Sequence, residues 1–256
     1  MVSGCSHTID KSSLSPLFMS PRVIPLESNP EIFNLLARKI GLTPVVLFHD
    51  VYSLTDKDLL GFLPQPVFGI IMLFPITANY EKYRTETDAG EPEYANEHAE
   101  SVTWLKQTIG NGCGLYGLLH ILANLPHDLI IENLMLNKLL LSQISPQSSV
   151  REVATMVEAL EQAIQLDTNY GNQGQTAAPD ANDEVSFHFM SFIKGRDGRL
   201  YELDGRRNGP VDLGPANGDN LVEEPKVVEK IQFYMNNADE QNKHNFAMMA
   251  VGPSME

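Results

Sequence analysis

Cys113 stands in the stretch "QTIGNGCGLYGLLH", residues 107–120, between two glycines and at the start of an apolar run. It is one of two cysteines in 256 residues. A free cysteine is most often a small buried hydrophobe, but three local features point to chemistry. The sulfur lies where a helix is expected to begin, and the unpaired N–H groups and positive end of a helix dipole stabilise a thiolate there. Gly112 and Gly114 put no side chain beside it, which would let a backbone or a substrate come close. Gln107, upstream, carries an amide able to donate to a developing oxyanion together with the Cys113 N–H. The chemistry such a set would do is acyl transfer through a thioester.

A thiolate nucleophile needs a base, and the base needs an orienting group. There are seven histidines. His7 lies in a serine-rich N-terminal stretch, and His98, His127 and His244 lie in polar or loop contexts. His120 is two helical turns from Cys113, about 10 Å along the same helix, and reads as a packed helix histidine. His49, beside Asp50 on an early strand, stays open by pattern. His188 differs from these because it interrupts "FHFMSF" between two phenylalanines. A histidine buried there is costly unless it is paired or lines a cleft. The next strand, "LYELDGR", ends at Asp204, and adjacent strands can set a carboxylate against an imidazole. Cys113–His188–Asp204 is therefore one arrangement the pattern allows.

The elements that would carry these residues alternate between helix and strand. "EIFNLLARKIGL" places Ile32, Leu35, Leu36, Lys39 and Ile40 at helical spacing, with Gly41 as the stop. "PVVLFHDVYSL" reads as a strand, "TDKDLLGFL" as a short helix capped by Thr55, and "VFGIIMLFPI" as a buried central strand. Residues 81–100 are polar and acidic without an apolar period, which suggests a surface loop or frayed helix. Leu115–Leu125 is apolar all round and should be a buried helix. Helical signals recur over Ile130–Ser142 and again from Ser149. There Ser149 and Glu152 form a capping box, and Val150, Val153, Met156, Val157 and Leu160 share a face. "DTNYGNQGQTAAPDAND" is a long polar loop. "VSFHFMSFI" and "LYEL" form strands joined through Asp197-Gly198. A helix over Val227–Met235 and a last strand, "NFAMMAVG", follow. These elements make one α/β domain spanning residues 21–256, behind a mobile extension over residues 1–20 that contains Cys5.

Composition narrows the function classes. The apolar fraction of 43% suffices for a sizeable core, and the formal net charge of −15 argues against nucleic acid or an anionic membrane as partner. No apolar run is long enough to span a bilayer, and nothing at the N-terminus reads as a signal peptide. Two cysteines make no disulfide framework, which suggests a reducing compartment, the cytoplasm with the nucleus as a second location. No metal-ligand spacing and no phosphate-binding glycine loop is evident, so neither metal nor cofactor is expected.

Five segments carry a family resemblance. "KQTIGNGCGLYGLLHILAN" resembles the nucleophile motif of the ubiquitin C-terminal hydrolases, the papain-like cysteine deubiquitinases of peptidase family C12. "FHFMSFIKGRDGRLYELDGRRNGPVDLG" resembles that family's His and Asp segment. "PLESNPEIFNLLARKIGL", "FHDVY" and "LFPIT" are similar to it as well, in the family's order from about Pro25 to Ala250. The resemblance implies an α+β papain-like fold with an antiparallel central sheet between helices and a knotted backbone. It implies Cys113 as nucleophile, His188 as general base and proton donor, Asp204 as its orienter and Gln107 as oxyanion donor. It also places Asp50, Pro25 and Leu26 on the surface that meets ubiquitin. The expected enzyme is a monomeric thiol hydrolase that removes small or unfolded adducts from the C-terminal glycine of ubiquitin. The segment around residues 157–179 would cross over the cleft and exclude folded leaving groups. The acidic surface would steer the basic ubiquitin tail. Two other readings are a ubiquitin-binding protein of weak activity and a papain-like hydrolase of another ubiquitin-like modifier.

Overall fold

The computed structural model describes residues 21–91, 94, 100–164 and 185–255. The expected N-terminal extension and most of the long polar loop lie outside the described residues. Six strands form one antiparallel sheet in the order β1-β6-β2-β3-β4-β5. They are β1 (Val46–Asp50), β2 (Gly69–Pro75), β3 (Phe187–Lys194), β4 (Arg199–Leu203), β5 (Val211–Pro215) and β6 (Ala247–Pro253). The β3–β4 turn is the expected one, with Gly198 at φ 77° and the Tyr201 hydroxyl donating to Asp197 at 2.7 Å.

Helices cover both faces of this sheet, as expected from the resemblance. On one face lie α1 (Pro30–Ile40), α4 (Cys113–Leu122) and α5 (Val150–Ile164), which share a cluster with Phe189 and Ile193 of β3. On the other lie α3 (Ala78–Asp88) and α6 (Pro225–Asn236), whose Tyr80, Val227, Ile231 and Tyr234 pack with Ile70, Met72, Phe74, Met190 and Phe192. Alternation along β3 therefore sends His188 to the α3 side and Phe189 to the α4 side. The short α2 (Lys57–Leu60) precedes β2. The capping box on α5 is present, with the Ser149 N–H donating to Glu152 at 2.7 Å and the Glu152 N–H to Ser149 Oγ at 3.2 Å.

The edge strand β1 has a side chain where a seventh strand would otherwise pair. Asn34 of α1 accepts the Phe48 N–H at 2.7 Å and donates to the Phe48 carbonyl at 2.9 Å. One amide thus satisfies both backbone groups of an edge residue, which leaves less edge for a foreign strand.

Several local expectations change. Of the two readings of residues 81–100, loop or frayed helix, a helix is present at the start, over Ala78–Asp88: Thr77 Oγ1 accepts the Tyr80 N–H at 3.2 Å, and Tyr80 and Tyr83 pack on Tyr234 and Phe233. Aromatic packing against α6 overrides the polar composition of this segment. The cap of α2 is Asp56 instead of Thr55, because the Asp56 carboxylate accepts from both Asp58 and Leu59. Leu35 is 50% exposed, so the buried face of α1 runs through Phe33, Leu36, Ala37 and Ile40. The helical signal over Ile130–Ser142 resolves into one π-type stretch, Asn137–Leu141. Strand β5 was not evident from periodicity; it holds only partly buried and exposed residues at the sheet edge.

Candidate active site

Helix α4 begins at Cys113, as the apolar run suggested, and its cap residue Gly112 makes no side-chain bond to the first turn. Asn111 turns the chain into the helix with a left-handed φ of 59°, a conformation asparagine tolerates better than most residues. The glycines on either side of Cys113 do not leave open space. A Cβ at Gly112 would meet the Ile109 carbonyl at 3.1 Å, and one at Gly114 would meet Leu26 Cβ at 3.0 Å. The chain itself fills the room they create, which is the first of the two uses expected for these glycines. Cys113 is 6% exposed.

His188 lies on β3 opposite Phe74 of β2. Its Nε2 is 2.6 Å from Asp204 Oδ1, so Nδ1 is the nitrogen left for the Cys113 thiol. Asp204 follows directly on β4 and is fully buried. Its Oδ1 also accepts the Arg206 N–H at 2.8 Å, its Oδ2 accepts the Tyr80 hydroxyl at 2.5 Å, and its backbone carbonyl accepts Trp104 Nε1–H at 3.1 Å. The three residues singled out by pattern are thus brought into one chain of contacts: sulfur, imidazole, carboxylate.

The electrostatics follow from this chain. Burial would raise the Cys113 thiol, but the hydrogen bond and charge of His188 and the backbone of Phe189 and Gly114 outweigh it and hold it below its ordinary value. Burial also disfavours the imidazolium, yet the Asp204 charge and hydrogen bond push His188 up to about 9. Burial alone would raise Asp204 too, whereas the His188 charge and the bonds from His188, Tyr80 and Arg206 keep its carboxyl well below the usual carboxylate range. The arrangement shifts the proton from sulfur toward the imidazole, and a thiolate is the reactive form of a cysteine nucleophile.

Gln107 sits half-buried on the extended segment leading to the α4 turn. Its Nε2 donates to the Ile109 carbonyl at 3.2 Å, which orients the amide and uses one of two N–H donors. Its Oε1 is buried and has no partner among the described residues. The Gln107 backbone N–H donates to the Gly205 carbonyl at 2.9 Å. A Cβ on Gly205 would strike Gln107 Cβ at 2.9 Å and the Leu105 carbonyl at 3.1 Å, so only glycine lets the Asp204 turn lie this close to the Gln107 segment.

The other histidines are placed elsewhere. His120 is buried, with Nε2 3.0 Å from the Leu105 N–H and 3.2 Å from its carbonyl. Burial, which outweighs the Leu105 contact, pushes it down to about 4. His49 Nε2 meets the Pro253 carbonyl at 3.1 Å across the β1–β6 pair. His127 and His244 are exposed. His7 and His98 lie outside the described residues. Leu26 is buried against Gly114, and Pro25 beside it is half-buried. Asp50 is exposed at the end of β1, and burial raises its carboxyl above the ordinary value. No described residue forms an ion pair with it.

Tyr80, Trp104 and Gly205 were missed from sequence. Two of them carried a signal. Tyr80 and Tyr83 stand at helical spacing behind a capping threonine, and Trp104 is the single tryptophan, whose N–H requires an acceptor when buried.

The family described as "Ubiquitin carboxyl-terminal hydrolase, family 1" matches residues 23–236. The chain is 35% identical over 239 residues to ubiquitin carboxyl-terminal hydrolase YUH1 of Saccharomyces cerevisiae, covering 91% of this chain and 97% of that one. It is 35% identical over 204 residues to ubiquitin carboxyl-terminal hydrolase isozyme L1 of Rattus norvegicus, covering 80% and 88%. Among solved structures, the catalytic domain of Trichinella spiralis UCH37 bound to ubiquitin vinyl methyl ester superposes with a TM-score of 0.67 at 21% identity, over 91% of this chain and 96% of that one. That likeness concerns the fold.

Proposed function

The chain belongs to family 1 of the ubiquitin carboxyl-terminal hydrolases, and from that premise we infer that it is a thiol-dependent hydrolase of bonds to the C-terminus of ubiquitin, with Cys113 as its nucleophile. The observation that carries the residue assignment is the buried grouping of Cys113, His188 and Asp204, with the carboxylate 2.6 Å from the imidazole Nε2 and the imidazole close enough to lower the thiol. In a family whose described activity is hydrolysis, that arrangement supplies a thiolate and a proton donor in contact.

The steps follow from the geometry. The Cys113 sulfur attacks the carbonyl carbon of the terminal glycine, and the carbonyl electron pair moves to oxygen. The Cys113 N–H and the second N–H of Gln107 are the donors proposed for that oxyanion. The intermediate collapses, the imidazolium of His188 gives its proton to the leaving amine, alcohol or thiol, and a thioester to Cys113 remains. Water then attacks the thioester, His188 takes the water proton, and a second collapse returns the thiolate and frees the carboxylate. Asp204 holds the ring and its charge through both steps without taking the proton.

Asp50 is the proposed anchor for a basic group on the ubiquitin tail. Sheet register puts Asp50, Met249, Ile71 and Ser191 in one row. Three strand spacings and three residues along β3 then separate Asp50 from His188, roughly 17 Å. An extended peptide of about five residues spans that distance. A partly desolvated carboxylate without a cation is a fitting end point for a tail arginine.

The test is Cys113→Ala. It should abolish release of a fluorogenic amide from the ubiquitin C-terminus while ubiquitin still binds, and in a wild-type chain a ubiquitin carrying a C-terminal electrophile should become attached at Cys113 only. Full activity without the thiol, or modification at Cys5 instead, would refute the assignment.

A further inference from the structure

The Asp204 carboxylate has a donor that the reaction above does not use. Tyr80, in the first turn of α3, gives its hydroxyl proton to Oδ2 at 2.5 Å, while Oδ1 faces His188. The two oxygens of the orienting carboxylate are thus each held by a different side chain. Tyr80 is itself fixed. Its ring lies edge-on to Phe74 at 4.7 Å and near Tyr234 and His188 at 6.2 and 6.5 Å. The Arg206 guanidinium lies over it at 5.9 Å. The same arginine reaches back to Glu81 Oε1 at 2.5 Å, and Arg84 closes on Glu81 Oε2 at 2.8 Å, stapling the first turn of α3 to the turn after β4. The charged and titratable groups around Tyr80 are Glu81 and Arg84 on its own helix, Glu202, Asp204 and Arg206 from β4 and its turn, His188 from β3 and Tyr234 from α6.

We propose that Tyr80 is a positioning residue for the catalytic pair: its hydroxyl pins Asp204 Oδ2 so that Oδ1 stays on His188, and by sharing the carboxylate's charge it keeps the imidazolium able to release its proton. This rests on the assignment of His188 as proton donor. A donor on Oδ2 spreads the negative charge away from Oδ1. Without it the carboxylate holds the His188 proton more tightly and is free to rotate about its own bond. The first effect slows proton transfer to the leaving group, and the second misplaces the ring. Neither changes how ubiquitin docks.

The experiment uses the full chain with Cys5→Ala, so that alkylation by iodoacetamide reports Cys113 alone. Tyr80→Phe keeps the ring and its packing. It should lower kcat on a small ubiquitin C-terminal amide by about tenfold or more, the worth of a hydrogen bond to a charged group, with KM little changed. The upper step of the alkylation rate against pH, where the imidazolium loses its proton, should move to higher pH by about half a unit. Tyr83→Phe is the control: it removes a hydroxyl from the same helix that bonds to Lys230 and not to Asp204, and should move neither readout. Fluorination of the Tyr80 ring makes the hydroxyl a stronger donor within an intact fold and should move the upper step down, which keeps the idea testable if Tyr80→Phe does not fold. A kcat equal to wild type, or an upper step unmoved by both changes, overturns the proposal. If wild type leaves ubiquitin amides uncut, the functional reading fails, but the alkylation profiles still decide the role of Tyr80.

Discussion

His120 makes a prediction whose size follows from the structure. Its ring is buried, and it takes up a proton only at about 4 instead of 6.5. Between those values the unfolded chain holds one proton more than the folded protein does. Stability from this group is therefore complete above 6.5 and is lost as pH falls. The slope is about 1.4 kcal/mol per pH unit for one proton, so about 2 kcal/mol disappears between pH 6.5 and about pH 5, before the carboxylates titrate. Protonation also removes the acceptor for the Leu105 N–H, which loosens the segment carrying Trp104 and Gln107.

The catalytic pair has to be separated from this effect. Its thiol is lowered from 9.0 and His188 is raised from 6.5 to about 9. The raised imidazole contributes stability that is complete below 6.5 and is lost as pH rises toward about 9, whereas the lowered thiol contributes stability that is present above 9.0 and is lost as pH falls, so the thiol is a second source of acid loss. Cys113→Ala removes that source, and below 6.5 His188 is protonated in the folded protein and mostly so in the unfolded chain. Urea unfolding of Cys113→Ala at about pH 6 and pH 5 should show a loss of roughly 1 kcal/mol. Cys113→Ala with His120→Gln, whose amide can still bond to Leu105, should start lower in stability and stay level over the same range. A level profile in the single variant, or an equal slope in the double one, would show that His120 is not the buried neutral group described.

Two further outcomes test the reading of the site. Gln107→Ala should lower kcat by about 100-fold or more, the usual loss of one oxyanion donor, with ubiquitin affinity kept; single-turnover kinetics with kcat unchanged would remove Gln107 from the oxyanion site. Asp50→Asn should weaken ubiquitin binding by about 1–2 kcal/mol and flatten its salt dependence; calorimetric titrations that superimpose at low salt would take Asp50 out of the interface.

Sequence carried the site further than it carried the elements around it. Cys113 and His188 announced themselves by context, one at a helix start between glycines and the other as a polar break in an apolar strand. Asp204 was reachable because a hairpin turn placed its strand next to that of His188. What pattern could not give is how α3 closes over Asp204, because the helix has little apolar period of its own and is held by Tyr80, Tyr83 and the Arg206–Glu81 pair. Such a helix exists only once its partner surface does, so no window of local sequence reports it. The edge strand β5 escaped for a similar reason, since its side chains are half-exposed. The long loop after α5 is legible as polar, and its placement lies outside the described residues.

The arrangement of the segment before the nucleophile explains why these scattered signals converge. Thr103 and Leu105 are tied to one wall of the site, and Trp104 and Gln107 to another. Asn124 of the α4 C-terminal end exchanges two bonds with the Thr103 backbone, at 2.7 and 2.8 Å, and His120 holds Leu105. Trp104 and Gln107 hold the turn at Asp204 and Gly205. The segment therefore runs as a strut from the helix that begins at Cys113 to the turn that carries Asp204. Because the clash that a side chain at Gly205 would meet includes backbone atoms of Leu105 and Gln107, the contact cannot yield by a rotamer change, and a displacement at either end is transmitted to the other. Because Gln107, the proposed oxyanion donor, lies on that strut, its distance to the sulfur depends on the same backbone contacts that set Asp204 against His188. A change in any one of Asn124, His120, Trp104 or Gly205 should consequently disturb both acylation geometry and imidazole orientation together, even though none of the four touches the bond being cut.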